Sequence, residues 1–527
     1  MSMQATERKT RLLLIGLDSA DRHLIEEWSA DGSLPAFRRL LRSSLRGDTR
    51  NPTGMVAGTV WPSFYTGVLP GRTGRFRGTT QFVTGSYEHA DIDFGRRQFP
   101  PFWDVLAKAG LRCTVIDAPY AFLSEQPNVT QLVDWCAHSP WRDGVSFSNP
   151  PELARRVRQD YGRDPVGKCD FARLGDAADF RRFTEGLIQR IETKLRLTLD
   201  LLDAGDTDLL FNVFSECHCA GHQLWHLHDA QHPLHDAGIL AELGGDPLRE
   251  VYRAMDRALG RLLEAAGDIP VLVFCSHGIG PAYSGTHLLD EILLKLEGRP
   301  SPRRRQGLAQ AMVAAWTGLP QALRTALTPL QKKLWPKLKA GLVQPGKAQR
   351  RFFEIIVNDA AGGVRINLKG REPAGTVEPG AEYDEVCDWL ERQLRAVVNP
   401  GTGKPLVARV LRSQQLYPGE HSHWLPDLLI VWDRSGPIHE AESPAIGRLS
   451  RRFVFRNHRT GDHTEDDGLF FFVSPAISPA RLDEVSVADL PPTIAALLGV
   501  DMPGTDGRPV SAMLREPARD GGLAEVS

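Results

Sequence analysis

Six of the sixteen histidines fall between residues 218 and 235, in Glu216-Cys217-His218-Cys219-Ala220-Gly221-His222 and at His226, His228, His232 and His235. If the chain is helical from Ala220 onward, His222 and His226 lie one turn apart on the same face, with His218 just above them at the helix mouth. Convergent neutral imidazoles are what a transition metal requires. Two plainer readings compete: a solvated histidine-rich face, and a cluster that changes its charge with pH.

Something must hold such residues together, and the apolar pattern supplies it. Continuous apolar runs at 11–17, 112–116, 208–214, 270–274, 427–432 and 468–473 read as strands covered on both faces. Amphipathic stretches at 35–41, 102–109, 180–202, 248–266 and 383–397 alternate with them. The pattern predicts an α/β sheet. In such sheets ligands bind beyond the carboxyl ends of strands. The residues there are chemically capable: Asp18 after the first run, Glu216 and His218 after the third, Ser276 and His277 after the fourth, and His463 near the last.

Composition narrows the function classes. With 527 residues, 42% of them hydrophobic, the chain can bury one large or two to three ordinary domains. A formal net charge of -2 provides no global field for nucleic acid or a membrane surface. Seven scattered cysteines fit a reducing compartment, and the apolar run 12–17 is too short for a secretory signal, so a cytoplasmic protein is expected. No stretch approaches the roughly 18 apolar residues of a membrane span.

Five motifs occur in order: Leu14-Ile15-Gly16-Leu17-Asp18; Trp61-Pro62-Ser63-Phe64-Tyr65-Thr66-Gly67 with Pro70; Cys275-Ser276-His277-Gly278; Thr460-Gly461-Asp462-His463; and Asp489-Leu490-Pro491-Pro492-Thr493 through Gly499. Together they resemble the alkaline phosphatase superfamily, in its type I phosphodiesterase and nucleotide pyrophosphatase branch. The resemblance implies a mostly parallel central sheet flanked by helices, two neighbouring metal ions, and a Thr, Ser or modified Cys nucleophile acting on a phosphoryl or sulfuryl centre. It places a discontinuous catalytic core at 10–297 and 354–512, with an insert at 298–353 and a flexible tail at 513–527. Asp18, His222, His277 and His463 match the family's ligands. Where the family has aspartates, this chain has His218 and Ser276. Counting nine residues back from Thr66 puts Ala57 at the nucleophile position, and alanine cannot attack. Thr59 is the nearest hydroxyl, presentable only by a turn shifted at Gly58. Otherwise it caps a helix beginning near Val60.

These substitutions predict two unequal metal sites. His218, His222 and His463 would form a three-imidazole site for a zinc-like divalent ion with an open fourth position. The other keeps Asp18 and His277 but has Ser276 for a carboxylate, so it should be weak or empty. A three-histidine ion keeps its full charge and makes hydroxide available near neutrality, so the attacking group need not be a side chain. Glu216 is a candidate general base or orienting partner, and His287 could reach the weaker site or protonate a leaving group. His458 and Asp462 flank His463, and Arg365, Lys369 or Arg371 could neutralise an anion. The insert carries twelve basic and no acidic residues between apolar positions, including Trp316 and Trp335. It reads as a basic helical cap over a small anionic substrate; a lipid-facing surface and a solvated arm are the alternatives. No strand shows the basic and aromatic interleaving of a nucleic-acid binder. The sequence thus points to a metal-dependent hydrolase of a phosphodiester or related anionic ester. The alternatives are a mononuclear metalloenzyme acting on a non-phosphate substrate and a non-catalytic binding homologue.

Overall fold

The computed structural model describes residues 10–514, except 79, 84, 92–98, 139–145, 170, 171, 173, 301–315, 317–322, 324–326, 328–345, 359, 454–458, 466 and 467. The basic cap, His458 and all but the first two residues of the tail therefore lie largely or wholly outside the described residues.

The main sheet is built from β1 (Leu12–Leu17), β2 (Leu45–Arg50), β3 (Cys113–Ile116), β4 (Val129–Val133), β5 (Phe147–Asn149), β6 (Leu209–Phe214) and β7 (Val271–Cys275). Later in the chain come β8 (Ile279–Pro281), β9 (Phe352–Ile355), β10 (Ala361–Ile366), β11 (Val407–Arg412), β12 (Leu428–Trp432), β13 (Gly461–His463), β14 (Gly468–Val473), β15 (Ala480–Arg481) and β16 (Val485–Ser486). The strand order of the main sheet is β15-β2-β14-β7-β1-β6-β3-β4-β5, with β16 also beside β2. β7, β1, β6, β3 and β4 run parallel, and β14 and β5 run against their neighbours.

Alternation along the central strands fills both faces. Leu13, Ile15 and Leu17 join one core with α1 (Arg22–Ala30), α2 (Pro35–Ser43), α5 (Ala177–Ala204), α6 (Glu216–His228) and α7 (Pro247–Ala266). Leu12 and Leu14 join the opposite core with α3 (Val56–Thr66), α4 (Phe102–Lys108) and α10 (Leu490–Leu497). This two-sided cover explains why the strands read as uninterrupted apolar runs. Local signals set the helix limits: the Asp176 side chain caps α5, which stops at left-handed Gly205, and Asp246 caps α7 ahead of Pro247.

One expected strand belongs elsewhere. Leu428–Trp432 sits not in the main sheet but in a separate antiparallel sheet of order β9-β10-β12-β11. With α8 (Thr286–Leu296) and α9 (Ala381–Arg395) this sheet makes a third hydrophobic core. An apolar run records burial but not the sheet in which a strand is buried. Among the described residues, no helix is long and apolar enough to cross a membrane.

Candidate metal centre

The three adjacent central strands β7, β1 and β6 end together, and each hands its next residues to the same point above the sheet. β1 delivers Asp18, β7 delivers Ser276 and His277, and β6 runs through Ser215 into α6, which carries His218 and His222 one turn apart. His463 arrives from outside the sheet: β13 pairs antiparallel with β8, placing His463 opposite Ile279. This strand pair reaches the helix because both meet at glycines. A Cβ on Gly461 would stand 2.1 Å from the Gly221 carbonyl oxygen, and one on Gly221 2.5 Å from Ile279. At this close approach, Thr460 N–H donates to His222 O at 2.8 Å.

The imidazoles converge. His218 Nε2 lies 2.7 Å from His463 Nε2 and 2.8 Å from His222 Nε2. Their other nitrogens are spoken for. His222 Nδ1 is 2.7 Å from Gly461 O, a carbonyl that only accepts, so Nδ1 carries the proton. His218 Nδ1 is 2.8 Å from Asp18 Oδ2, an ion-pair contact rather than an aligned hydrogen bond. In the tautomer that ligation needs, with the His218 proton on Nδ1, the two rings turn bare nitrogen lone pairs toward each other at 2.8 Å. A cation between them turns that repulsion into coordination, so this donor set fits a metal ion. Burial, then the positive charge of Arg459, then that of the neighbouring imidazoles hold His222 well below its ordinary pKa, in the neutral form that ligation needs. His463 is lowered for similar reasons, with burial first and His277 next.

Asp18 is buried at 4% exposure and heavily engaged. Its Oδ1 accepts from Trp61 Nε1 at 2.7 Å and from Ser276 Oγ at 3.0 Å, and lies 3.9 Å from His277 Nε2. Burial pushes the Asp18 carboxyl up, but His218, His277 and the Trp61 donor outweigh it and hold the group well below the usual carboxylate range. Ser276 spends its proton on Asp18 and accepts from Ser19 N–H at 3.1 Å, so it braces the aspartate where the family's residue would ligate. Ser19, buried at a positive φ of 50°, also places its hydroxyl 3.1 Å from His277 Nδ1.

Other residues singled out in the sequence stand apart from this cluster. Thr59 is buried inside α3, which starts at Val56 rather than near Val60, and its hydroxyl donates to Met55 O at 2.8 Å. Gly58 is helical too, so the shifted turn expected to present Thr59 is not formed. Glu216 is wholly buried, 4.0 Å from Arg190, and burial raises its pKa against the pull of Lys194 and Arg190. It faces the inner ion network of α5. His287 stands in the first turn of α8, with Nε2 3.0 Å from Arg451 O. Arg365 pairs with Glu372, Arg371 with Glu372 and Asp427, and Lys369 with Glu378, so these cations are structural partners of nearby carboxylates. His226 contacts Thr460, His228 pairs with Asp246, and His235 meets His226 O, which makes them braces around α6.

Three residues escaped the sequence reading. Arg434 donates to the backbone oxygens of Pro281, Asp462 and His463, clamping the β8–β13 strand pair. His138 packs its ring 3.9 Å from that of His218. Arg459 places its charge near His222 and His463. All three are isolated in sequence with no spacing signal, although Arg459 adjoins a motif.

The model of the family described as type I phosphodiesterase / nucleotide pyrophosphatase matches residues 12–464. No curated protein matches the chain. Among solved structures it is similar to inactive murine ectonucleotide pyrophosphatase / phosphodiesterase 5 in complex with AMP, at 12% identity over 95% of this chain and 97% of that one, with a TM-score of 0.48. The human counterpart gives 11% identity over 94% and 97%, with a TM-score of 0.48. Phosphonoacetate hydrolase from Sinorhizobium meliloti in complex with phosphonoacetate gives 12% over 90% and 92%, with a TM-score of 0.47. With most of its length matched by that family model, from β1 to the residue after His463, the chain belongs to the type I phosphodiesterase / nucleotide pyrophosphatase family.

Proposed function

We propose that this protein is a metal-dependent hydrolase of a phosphodiester or related small anionic ester, working with one strongly held ion, zinc by the chemistry of its ligands. The observation that carries the reading is the convergence of His218, His222 and His463 through their Nε2 atoms above the central strands. A divalent ion held by these three imidazoles would supply Lewis-acid polarisation and a lowered water pKa. Asp18 orients His218, Gly461 O orients His222, and Arg459 is the cation best placed to meet an anionic substrate. Asp18 and His277 form the weaker half, since Ser276 brings a donor where a carboxylate would bind a second ion. With Ala57 at the family's nucleophile position and Thr59 bonded within its helix, the attacking group in this reading is water rather than a side chain. The seven cysteines, all free, fit a cytoplasmic setting.

Full-length protein assayed for metal content and for turnover of aryl phosphodiesters, phosphomonoesters and sulfates tests the proposal. One equivalent of metal that is lost in His463→Ala, with ester turnover unchanged by Thr59→Ala, is the expected result. Ala57 favours a second reading, a mononuclear metalloenzyme for a non-phosphate substrate or a binding homologue. That equivalent with no turnover of any ester would end the first reading in favour of the second. A further equivalent lost in His277→Ala would overturn the single-site assignment.

A further inference from the structure

Behind the imidazole cluster lies a second set of soft donors with no part in the proposed reaction. His138 follows β4, Cys169 lies in the segment before α5, and Cys219 sits on α6 next to His218. Nδ1 of His138 and the two Sγ atoms all fall within 4.8 Å of one another. Three segments far apart in sequence therefore place one imidazole and two thiols about a single point. Both cysteines are completely buried, and His138 is half-buried at the edge.

We infer that His138, Cys169 and Cys219 form a binding site for a soft divalent metal ion of the zinc class, separate from the three-histidine centre. Two sulfurs and one imidazole nitrogen make the Cys2His donor set such ions prefer, with a fourth position left open. In a tetrahedral zinc site, metal distances of about 2.3 Å to sulfur and 2.0–2.1 Å to nitrogen separate the ligand atoms by about 3.5 Å. His138 Nδ1 is 3.5 Å from Cys219 Sγ, which matches, and 2.7 Å from Cys169 Sγ, so Cys169 must yield by about 0.8 Å to reach that spacing. Binding releases both thiol protons to solvent, and the two thiolates neutralise the dication. Arg190, wholly buried, already points Nη1 at Cys219 Sγ from 3.5 Å and can remain as a donor to the coordinated sulfur. Coordination through Nδ1 moves the His138 proton to Nε2. There it faces Arg459 Nη2 at 3.1 Å, so that contact must open.

The site is chemically unlike the three-histidine centre in one measurable respect: it alone offers sulfur. Reduced, metal-free, full-length protein titrated with Cd2+ alone should develop the ultraviolet thiolate-to-cadmium charge-transfer band. The band should saturate at one equivalent of this site and fall by about half in Cys169→Ser and in Cys219→Ser. It should persist in His463→Ala, which disables the other centre, and in Cys136→Ser, a buried cysteine outside the cluster. No band in the wild type would overturn the inference without relying on any variant. So would a band insensitive to both serine substitutions, or peptide mapping that finds Cys169 and Cys219 joined as a disulfide in protein purified without reductant.

Discussion

The two halves of the centre are built from neighbouring strands yet treat charge in opposite ways. In the imidazole half, His218, His222 and His463 point bare nitrogens inward, and their outer nitrogens or backbones are held by carbonyls or by Asp18. In the carboxylate half, Asp18 already serves Trp61, Ser276 and His218, leaving His277 as the less committed donor. Histidine at 218 and serine at 276 remove two negative charges from the positions where the family has aspartates. The first swap adds a neutral ligand. The second turns a ligand position into a brace that donates to Asp18. In the proposed reading an ion in the imidazole half keeps its full charge, while the carboxylate half serves mainly to orient His218.

The harshest way to break the comparison is to remove an imidazole. His463→Ala should cost the protein one equivalent of bound metal and lower ester turnover at least ~100-fold, the scale of losing a charge-stabilising element in a buried site. His232→Ala, on the same stretch of chain but stacked on Tyr283, should keep its metal and its turnover. Metal analysis of the two purified variants decides, and the reverse pattern would overturn the ligand assignment.

A smaller effect is expected from the clamp. Arg434→Ala frees the carbonyls of Pro281, Asp462 and His463, so His463 loses its fixed approach while its side chain stays intact. Metal affinity should weaken by ~10–100-fold, as for other residues that only orient a ligand. Competition against a chelator of known affinity measures it. An unchanged dissociation constant would show that β8–β13 pairing alone positions the ring.

How much of this was legible in the sequence follows from where each residue sits. Asp18, His218 and His277 follow apolar runs, so the strand pattern and the rule about carboxyl ends located them. His463 was noted near the last run and by its motif, but not its approach to His218, because it lies on a short strand pair outside the main sheet and depends on glycine contacts that no periodicity records. Thr59 was misjudged because α3 begins four residues before the expected start and absorbs its hydroxyl into an i to i-4 bond. Glu216 was noticed for its place beside ligands, yet on a helix adjacent residues point in different directions, and this one turns toward Arg190. The second sheet went unread because β12 is as apolar as the strands of the first.

Ser276→Asp sharpens the contrast by restoring the missing carboxylate. In chelator, two carboxylates would share one buried pocket, and the variant should unfold with about 1–3 kcal/mol less stability than the wild type. With saturating zinc the order should invert, and the variant should hold one equivalent of metal more than the wild type. Thermal melts with and without chelator, together with metal content, read both effects. A variant that is destabilised equally in both conditions would mean that Asp18 and His277 do not form a second half-site.

The mildest test uses the histidines of α6 and its following turn that are not ligands. Burial, followed by the charges of His232 and His235, lowers His226 to about 4, and burial likewise lowers His232 to about 4. Between pH 4 and the ordinary histidine value near 6.5, the unfolded chain therefore binds protons that the folded chain refuses. Stability rises with pH through that window and is lost as pH falls toward 4, by on the order of 2 kcal/mol for each group. His226→Gln forfeits the Thr460 contact and should be the less stable protein at pH 7, but its deficit should shrink toward pH 4 because one refused proton is gone. The same narrowing should appear with zinc and with chelator, since His226 holds no metal. The zinc-dependent part of stability, by contrast, should vanish as His222 and His463 are forced to choose between proton and ion. Urea melts at pH 7, 5.5 and 4 separate the two slopes. A His226 effect that disappears on chelation would move that residue from the braces into the metal centre.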